Sequence, residues 1–389
     1  MMQKAVVISM FILINILSYG QKDSDCILDN TIIYEENDST FLSDAYSRYR
    51  FFIMGEYHFR EENTDLFLKV FKNLYTNANV RIVFMESGYA NGYLVNHYLQ
   101  TGDEECLSFI TDLNQFEEKM YKELKKFYDT LPEDEKFKFV GVDVEIYEAD
   151  YKMFYTVSQM IQDSIMPEKL EDMIFDFQEK ATEGNTDAAQ DKFDDIYFDW
   201  KNNKESYKEL MGNNYDSYET LMKRMKKSYR FQFYNYNYGR DTLKQTQRER
   251  YIYNNISSVV KENPNCNFFA QFGLAHIGLE RFLIAGENNG FQSFSAKLNT
   301  NKKSPLKDSV CSIAILYFDE VEDYGSKLFL YYSDFTYFLS RKKYLPNEIY
   351  KTLKKNTIKN KTYLVNVSKN CNSSMQKANK NFQYLIFTR

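Results

Sequence analysis

Four short apolar runs punctuate the chain, and each ends abruptly in glycine or ionisable residues. Phe51-Phe52-Ile53-Met54 runs into Gly55-Glu56-Tyr57-His58, and Val80 to Met85 runs into Glu86-Ser87-Gly88. Phe137 to Val142 ends at Asp143, and Cys266 to Phe272 ends in Gly273-Leu274-Ala275-His276. Apolar runs of this length predict buried strands, while a glycine with titratable neighbours suits a strand exit better than a core. Helical patterning lies between the runs. Phe41 to Tyr49 predicts a short helix, and Thr64 to Tyr75 a longer one with Leu66, Phe67, Val70, Phe71 and Leu74 at helical spacing. Ala90 to Leu99 is stopped by Thr101-Gly102-Asp103, and Phe116 to Tyr128 and Thr242 to Val260 follow the same logic. Strands alternating with helices predict an α/β fold with a mostly parallel central sheet flanked by helices.

The pattern changes from about Tyr147 to Gln245, which is charged and rich in Met and Tyr. It contains no strand pattern and predicts a helical insertion or lid over 147–245, jointed near Thr182-Glu183-Gly184-Asn185. The last hundred residues return to strand-like runs: Phe291 to Leu298, Ser309 to Phe318, Leu328 to Tyr332, Thr362 to Val367 and Phe382 to Phe387, with a helix at Leu345 to Leu353. No period of 20–50 residues repeats, which argues against a solenoid. Residues 21–40, polar over Gln21 to Asp38, read as a linker, and 41–389 as one α/β domain carrying the insertion.

Composition narrows the classes. Hydrophobic content of 43% and charged content of 27% are ordinary for a globular chain, so disorder is not expected. A net charge of −6 argues against broad nucleic-acid binding. Residues 1–20 resemble a secretory signal: Lys4, then the apolar run Ala5 to Leu17, then Ser18-Tyr19-Gly20. Export to a periplasmic or extracellular compartment is expected, with no integral span after signal removal. The five cysteines, Cys26, Cys106, Cys266, Cys311 and Cys371, show no C-x-x-C spacing. An odd number leaves at least one free thiol, so no disulfide framework is expected.

In parallel α/β sheets ligands bind beyond the carboxyl ends of the strands. Glu56, His58, Glu86, Asp143 and His276 are therefore expected at one edge. The helix before the fourth run lies antiparallel to it. From Arg248 to Glu262 is about 22 Å of helix, against about 23 Å for Cys266 to Phe272, which sets Arg248 level with His276. Ile252 and Asn255 share the Arg248 face. Each residue also has a plainer reading. Glu56 and Glu86 could be exposed strand-end acids, and His58 and His276 hydrogen-bonded structural histidines. Asp143 could cap the next helix, and Arg248 belong to a solvated charged face. His97 falls about 16 Å along its helix from Glu86 and is left out of the constellation.

These residues resemble a superfamily that links erythromycin esterases, ChaN-like haem-binding uptake proteins and the Tiki/TraB proteins. The likeness rests on Gly55-Glu56-Tyr57-His58, Glu86 and Gly273-Leu274-Ala275-His276. Glu86-Ser87-Gly88-Tyr89 running to Asn96-His97-Tyr98-Leu99-Gln100-Thr101-Gly102, Gly141-Val142-Asp143, and Arg248-Glu249 with Ile252 and Asn255 are similar to the esterase branch. The single residue between Glu56 and His58 is closer to ChaN-like spacing. The resemblance implies hydrolysis of an ester, lactone or similar bond in a small molecule. His58 would be the general base, oriented by Glu56 or Glu86, while His276 and Arg248 would polarise the carbonyl. Asp143 and Asn255 would help bind substrate. No cofactor is required in that reading. The alternatives are a ChaN-like haem-binding protein, or a metal-dependent Tiki/TraB-like peptidase with Glu56, His58 and His276 on a divalent metal.

Overall fold

The computed structural model describes residues 23–34, 41–56, 58, 60–111, 115–145, 152–162, 165–183, 186–232, 242–282, 291–317, 346–358 and 361–388. The expected signal at 1–20 and strand at Leu328 to Tyr332 lie outside these residues. The strands are β1 (Thr31–Ile33), β2 (Phe51–Glu56), β3 (Val80–Met85), β4 (Lys138–Gly141), β5 (Asn267–Gly273), β6 (Arg281–Phe282), β7 (Phe291–Gln292), β8 (Val310–Tyr317), β9 (Thr362–Asn366) and β10 (Tyr384–Thr388). Eight of them form a mostly parallel sheet in the order β1-β9-β10-β8-β2-β5-β3-β4, while β6 and β7 pair separately. The expected α/β architecture with a mostly parallel sheet and flanking helices is therefore present.

The chain forms two compact units. One comprises 1–58, 272–288 and 295–389, and the other 59–271 and 289–294. In the first, β2 runs parallel to β8 and β8 to β10, while β9 and then β1 add antiparallel strands at the edge. Its core is built from strand residues with no exposure on either face, including Phe51, Phe52, Ile53 and Met54 against Cys311, Ile313 and Ile315. Continuous apolar runs of this kind are what a sheet buried on both faces requires.

In the second unit β3 is flanked in parallel by β4 and β5, with Met85 opposite both Gly141 and Gln271. Helix α2 (Glu62–Asn77) lays Phe67 and Phe71 onto this sheet, with ring centroids 5.3 Å from Phe269 and 4.8 Å from Phe137. Helix α3 (Tyr89–Thr101) stops at Gly102, whose φ of +75° closes the helix in the left-handed region that glycine tolerates. Helices α4 (Glu104–Thr111) and α5 (Gln115–Asp129) complete this layer. The expected helical middle is present as α6 (Lys152–Met160), α7 (Glu168–Thr182), α8 (Thr186–Asn202), α9 (Lys204–Met211) and α10 (Tyr215–Gln232), with no strand among its described residues. Its core is separate from the sheet's and centres on Trp200, Tyr218, Phe193 and Met222. Helix α11 (Thr242–Glu262) then leads into β5.

Three local expectations are corrected. Phe41 to Tyr49 makes only a single 3-10 turn, Ser43–Ala45, because Leu42 takes a φ of 61° and breaks the helical path. The run Phe291 to Leu298 yields only β7 before turning into helix α12 (Phe294–Thr300). The buried Glu249 carboxylate accepts from the Phe294 amide and caps that helix start. Residues 21–40 are not all linker, since 23–29 are helical and Thr31–Ile33 pairs with β9.

Candidate functional site

Near the end of β2, residue 55 is glycine where another element approaches the strand closely. A Cβ there would fall 2.4 Å from Ile277 Cδ1 and 2.8 Å from Leu274 Cδ1, so Gly55 lets the 274–277 turn close directly on the strand. Beyond it, His58 Nδ1 lies 3.0 Å from Glu56 Oε1. Donation from Nδ1 to the carboxylate fixes the neutral tautomer and leaves Nε2 as the basic nitrogen. The Glu56 side chain is 14% exposed and that of His58 40%, so an anchored acid carries a reachable imidazole.

His276 ends the 3-10 turn Leu274–His276 packed on β2 and is itself buried. Its ring lies 6.1 Å from that of Phe272 at a steep angle, and Ser312 of β8 donates to the following carbonyl, Ile277 O, at 2.7 Å. Within this unit, Glu56 and His58 thus leave β2, while His276 lies in the turn after β5 that packs on Gly55.

The second unit gathers a different subset. In-register pairing of β3 and β4 continues past both strand ends, with Val142 N donating to Met85 O at 3.3 Å and Asp143 N to Ser87 O at 3.0 Å. Glu86 and Asp143 therefore leave the sheet at one level. Arg248, in the second turn of α11, donates Nε to Asp143 Oδ1 and Oδ2 at 2.9 and 3.0 Å and Nη2 to Glu86 Oε1 at 3.0 Å, with a further contact from Nη2 to Asp143. Burial works against the guanidinium charge, but Asp143 and then Glu86 outweigh it and hold Arg248 firmly protonated. Asn255, two turns on, donates to Val142 O at 2.8 Å and locks α11 to the β4 exit. In this geometry Arg248, Asp143 and Asn255 fix backbone and charge around Glu86.

Asp143 does not cap a helix within the described residues, although its Oδ1 accepts from Val144 N at 2.7 Å. His97 makes a 3.9 Å contact with Asp103, and burial lowers its pKa against the opposing pull of that acid. Sequence reasoning did not single out Glu145 or Arg224. Arg224 of α10 donates to Gly141 O, and Glu145 accepts from Tyr89 N and Ala90 N. A signal for Glu145 was present, since Val142-Asp143-Val144-Glu145 alternates and turns both acids the same way.

A shallow surface hollow in the first unit, lined by Pro346, Ser374 and Lys377 among others, contains none of these residues. Among the described residues no group of three or more His, Cys, Asp and Glu is placed to hold a metal ion, so Glu56, His58 and His276 do not form a ready metal cage. Cys26 and Cys371 form a disulfide with Cα atoms 6.1 Å apart, and Cys106, Cys266 and Cys311 are free.

The fold resembles that of three solved structures, one of them an erythromycin esterase. A histidine-to-asparagine variant of the erythromycin esterase EreC, in its open conformation, superposes with a TM-score of 0.59 at 11% identity, over 91% of this chain and 94% of that one. A succinoglycan biosynthesis protein gives a TM-score of 0.61 at 12% identity, covering 96% of this chain and 97% of that one. A Bacillus cereus protein gives 0.62 at 10% identity, covering 95% and 97%. No family model and no curated protein matches the sequence.

Proposed function

We propose that the protein is an exported hydrolase that activates water at a Glu56–His58 centre to cleave an ester, lactone or similar bond of a small molecule. The observation that carries the reading is the 3.0 Å contact between Glu56 Oε1 and His58 Nδ1. A carboxylate that orients an imidazole and stabilises its protonated form is what a general base needs. His58 Nε2 takes the proton of the attacking water, and His276 supplies the second imidazole, to polarise the carbonyl or protonate the leaving oxygen. Arg248, itself held by Asp143, orients the Glu86 carboxylate. The fold of an erythromycin esterase supports the reaction class. The metal-dependent alternative lacks a three-ligand cluster among the described residues, and no step is derived through a metal. The Cys26–Cys371 disulfide supports export, because such bonds persist in oxidising compartments.

The test is hydrolysis of a panel of aryl esters and lactones by the wild type and by His58→Gln and Glu56→Gln. Loss of the base should lower turnover by about 10²–10⁴-fold while thermal unfolding stays unchanged. Equal turnover in His58→Gln would overturn the reading. A haem-dependent Soret band that disappears in the same variant would favour the binding alternative.

A further inference from the structure

A second acid follows β4 two residues beyond Asp143, and the chemistry above does not use it. Glu145 is only 6% exposed. Its Oε1 accepts from Tyr89 N and its Oε2 from Ala90 N at 3.3 Å, so the carboxylate sits on the first two amides of the 13-residue helix α3. Helix starts leave such amides without intrahelical partners and carry partial positive charge, which suits an anion. The β3 exit makes room for it. A Cβ on Gly88 would lie 2.0 Å from Glu145 Oε2, and one on Gly141 would lie 1.8 Å from Gly88 O.

Helix α10 braces the same place from the helical middle. Ser228 Oγ accepts from the Glu145 amide at 3.1 Å and contacts Tyr251 OH at 3.4 Å. One turn earlier, the Arg224 guanidinium binds Gly141 O and lies 5.0 Å from the centroid of the Tyr89 ring. The charged and titratable groups facing Glu145 are Arg224 from α10, Asp143 from the β4 exit and Tyr251 from α11.

We propose that Glu145 is a positioning residue: by tying Tyr89 and Ala90 to the β4 exit, it fixes the Glu86-Ser87-Gly88 turn and so holds Glu86 against Arg248. The ionised carboxylate accepts both amides, whereas a protonated one has an oxygen turned donor and releases one of them. Burial raises this pKa to about 7, with the two amides and Arg224 opposing and Asp143 adding to the rise. The clamp therefore tightens as pH rises through neutrality, and the helical middle reaches the strand exits through Arg224 and Ser228.

The activity part of the test rests on the hydrolase reading, and a second measurement stands apart from it. Hydrogen exchange of the Tyr89 and Ala90 amides in the wild type should slow relative to the rest of α3 as pH passes about 7. In Glu145→Gln, whose amide nitrogen cannot accept, that pH-linked step should vanish. On the ester hydrolysed fastest, Glu145→Gln should lower kcat by about tenfold or more with KM unchanged, as a small misplacement of a reacting group does. It should also remove any kcat inflection that His58 does not account for. Glu145→Asp, one methylene short of both amides, should fall between the two and serves if the Gln variant does not fold. An unchanged exchange step together with wild-type kcat overturns the proposal, even where His58→Gln is inactive. If His58→Gln is active, the hydrolase reading fails and the exchange step alone decides the role of Glu145.

Discussion

Asn96 pairs with Phe139 as a neighbouring strand would. Its Oδ1 accepts from Phe139 N and its Nδ2 donates to Phe139 O, both at 2.8 Å. Strand β4 is the last of the described strands in the sheet order, so among the described residues Phe139 would otherwise present an open edge. One carboxamide on α3 replaces the missing strand and fastens the helix that starts at the β3 exit.

Replacing Asn96 with Leu should therefore destabilise the protein more than an ordinary half-buried substitution. Two backbone groups lose their partner beneath an apolar side chain, a cost of ~2–3 kcal/mol. Urea unfolding measures it, and a loss below about 0.5 kcal/mol, the range of neutral surface changes, would contradict the pairing.

Arg248→Met should be worse than Arg248→Lys, and both worse than a surface arginine change. Methionine leaves Asp143 and Glu86, with side chains 4% and 14% exposed, facing each other without a countercharge. Breaking such a pair costs ~3–5 kcal/mol. Lysine restores the charge but not the fork that reaches both oxygens of Asp143 and one of Glu86. Adding Asp143→Asn to Arg248→Met should recover part of the loss, because one of the stranded charges is gone. A double variant no more stable than Arg248→Met would show that packing, not charge, sets the cost.

The Cys26–Cys371 link joins the helix at 23–29 to the turn before the helix Ser373–Asn379, across 345 residues of sequence. Both sulfurs also touch Met375 Sδ, at 3.5 and 3.3 Å. Reduction, or Cys371→Ser, should cost about 2–4 kcal/mol and lower Tm by several degrees. Cys106→Ala keeps the Cys26–Cys371 bond and should lose Tm on reduction as the wild type does, whereas Cys371→Ser should be insensitive to reductant. An identical Tm with and without reductant would mean that the bond does not tie down the N-terminal helix.

Apolar runs made the sheet legible, because strands buried on both faces have to be continuously apolar and their exits have to be polar. The same rule brought Glu56 and His58 together, since alternate residues of an extended exit point one way. The strand exits also singled out Glu86 and Asp143, while Arg248 came from matching the length of the helix before the fourth run to that run. Their roles were less legible: a bidentate Arg248–Asp143 pair depends on where α11 lies over the β4 exit, which spacing alone does not encode. Asn96 was noticed only as part of a motif, because nothing local distinguishes an amide that mimics a strand from one that faces water. The α12 helix was misread as strand because its start is set by Glu249, 45 residues earlier. The disulfide was missed because sequence spacing carries no information about a contact between the two ends of the chain.

Glu145 also makes a prediction for stability against pH that needs no substrate. Its pKa is raised from 4.5 to about 7, first by burial. The native state therefore keeps this proton over a range in which the unfolded chain has released it. Bound protons favour the state that holds more of them, so this contribution is fully present below about pH 4.5 and is lost as pH rises to about 7. The span corresponds to at most ~3 kcal/mol. Glu145→Gln removes the titration, so the difference in unfolding free energy between wild type and variant should change by that order between pH 4.5 and 7.5 and then level off. Urea unfolding at half-unit pH steps measures it, and parallel curves for the two proteins would show that Glu145 titrates alike in both states.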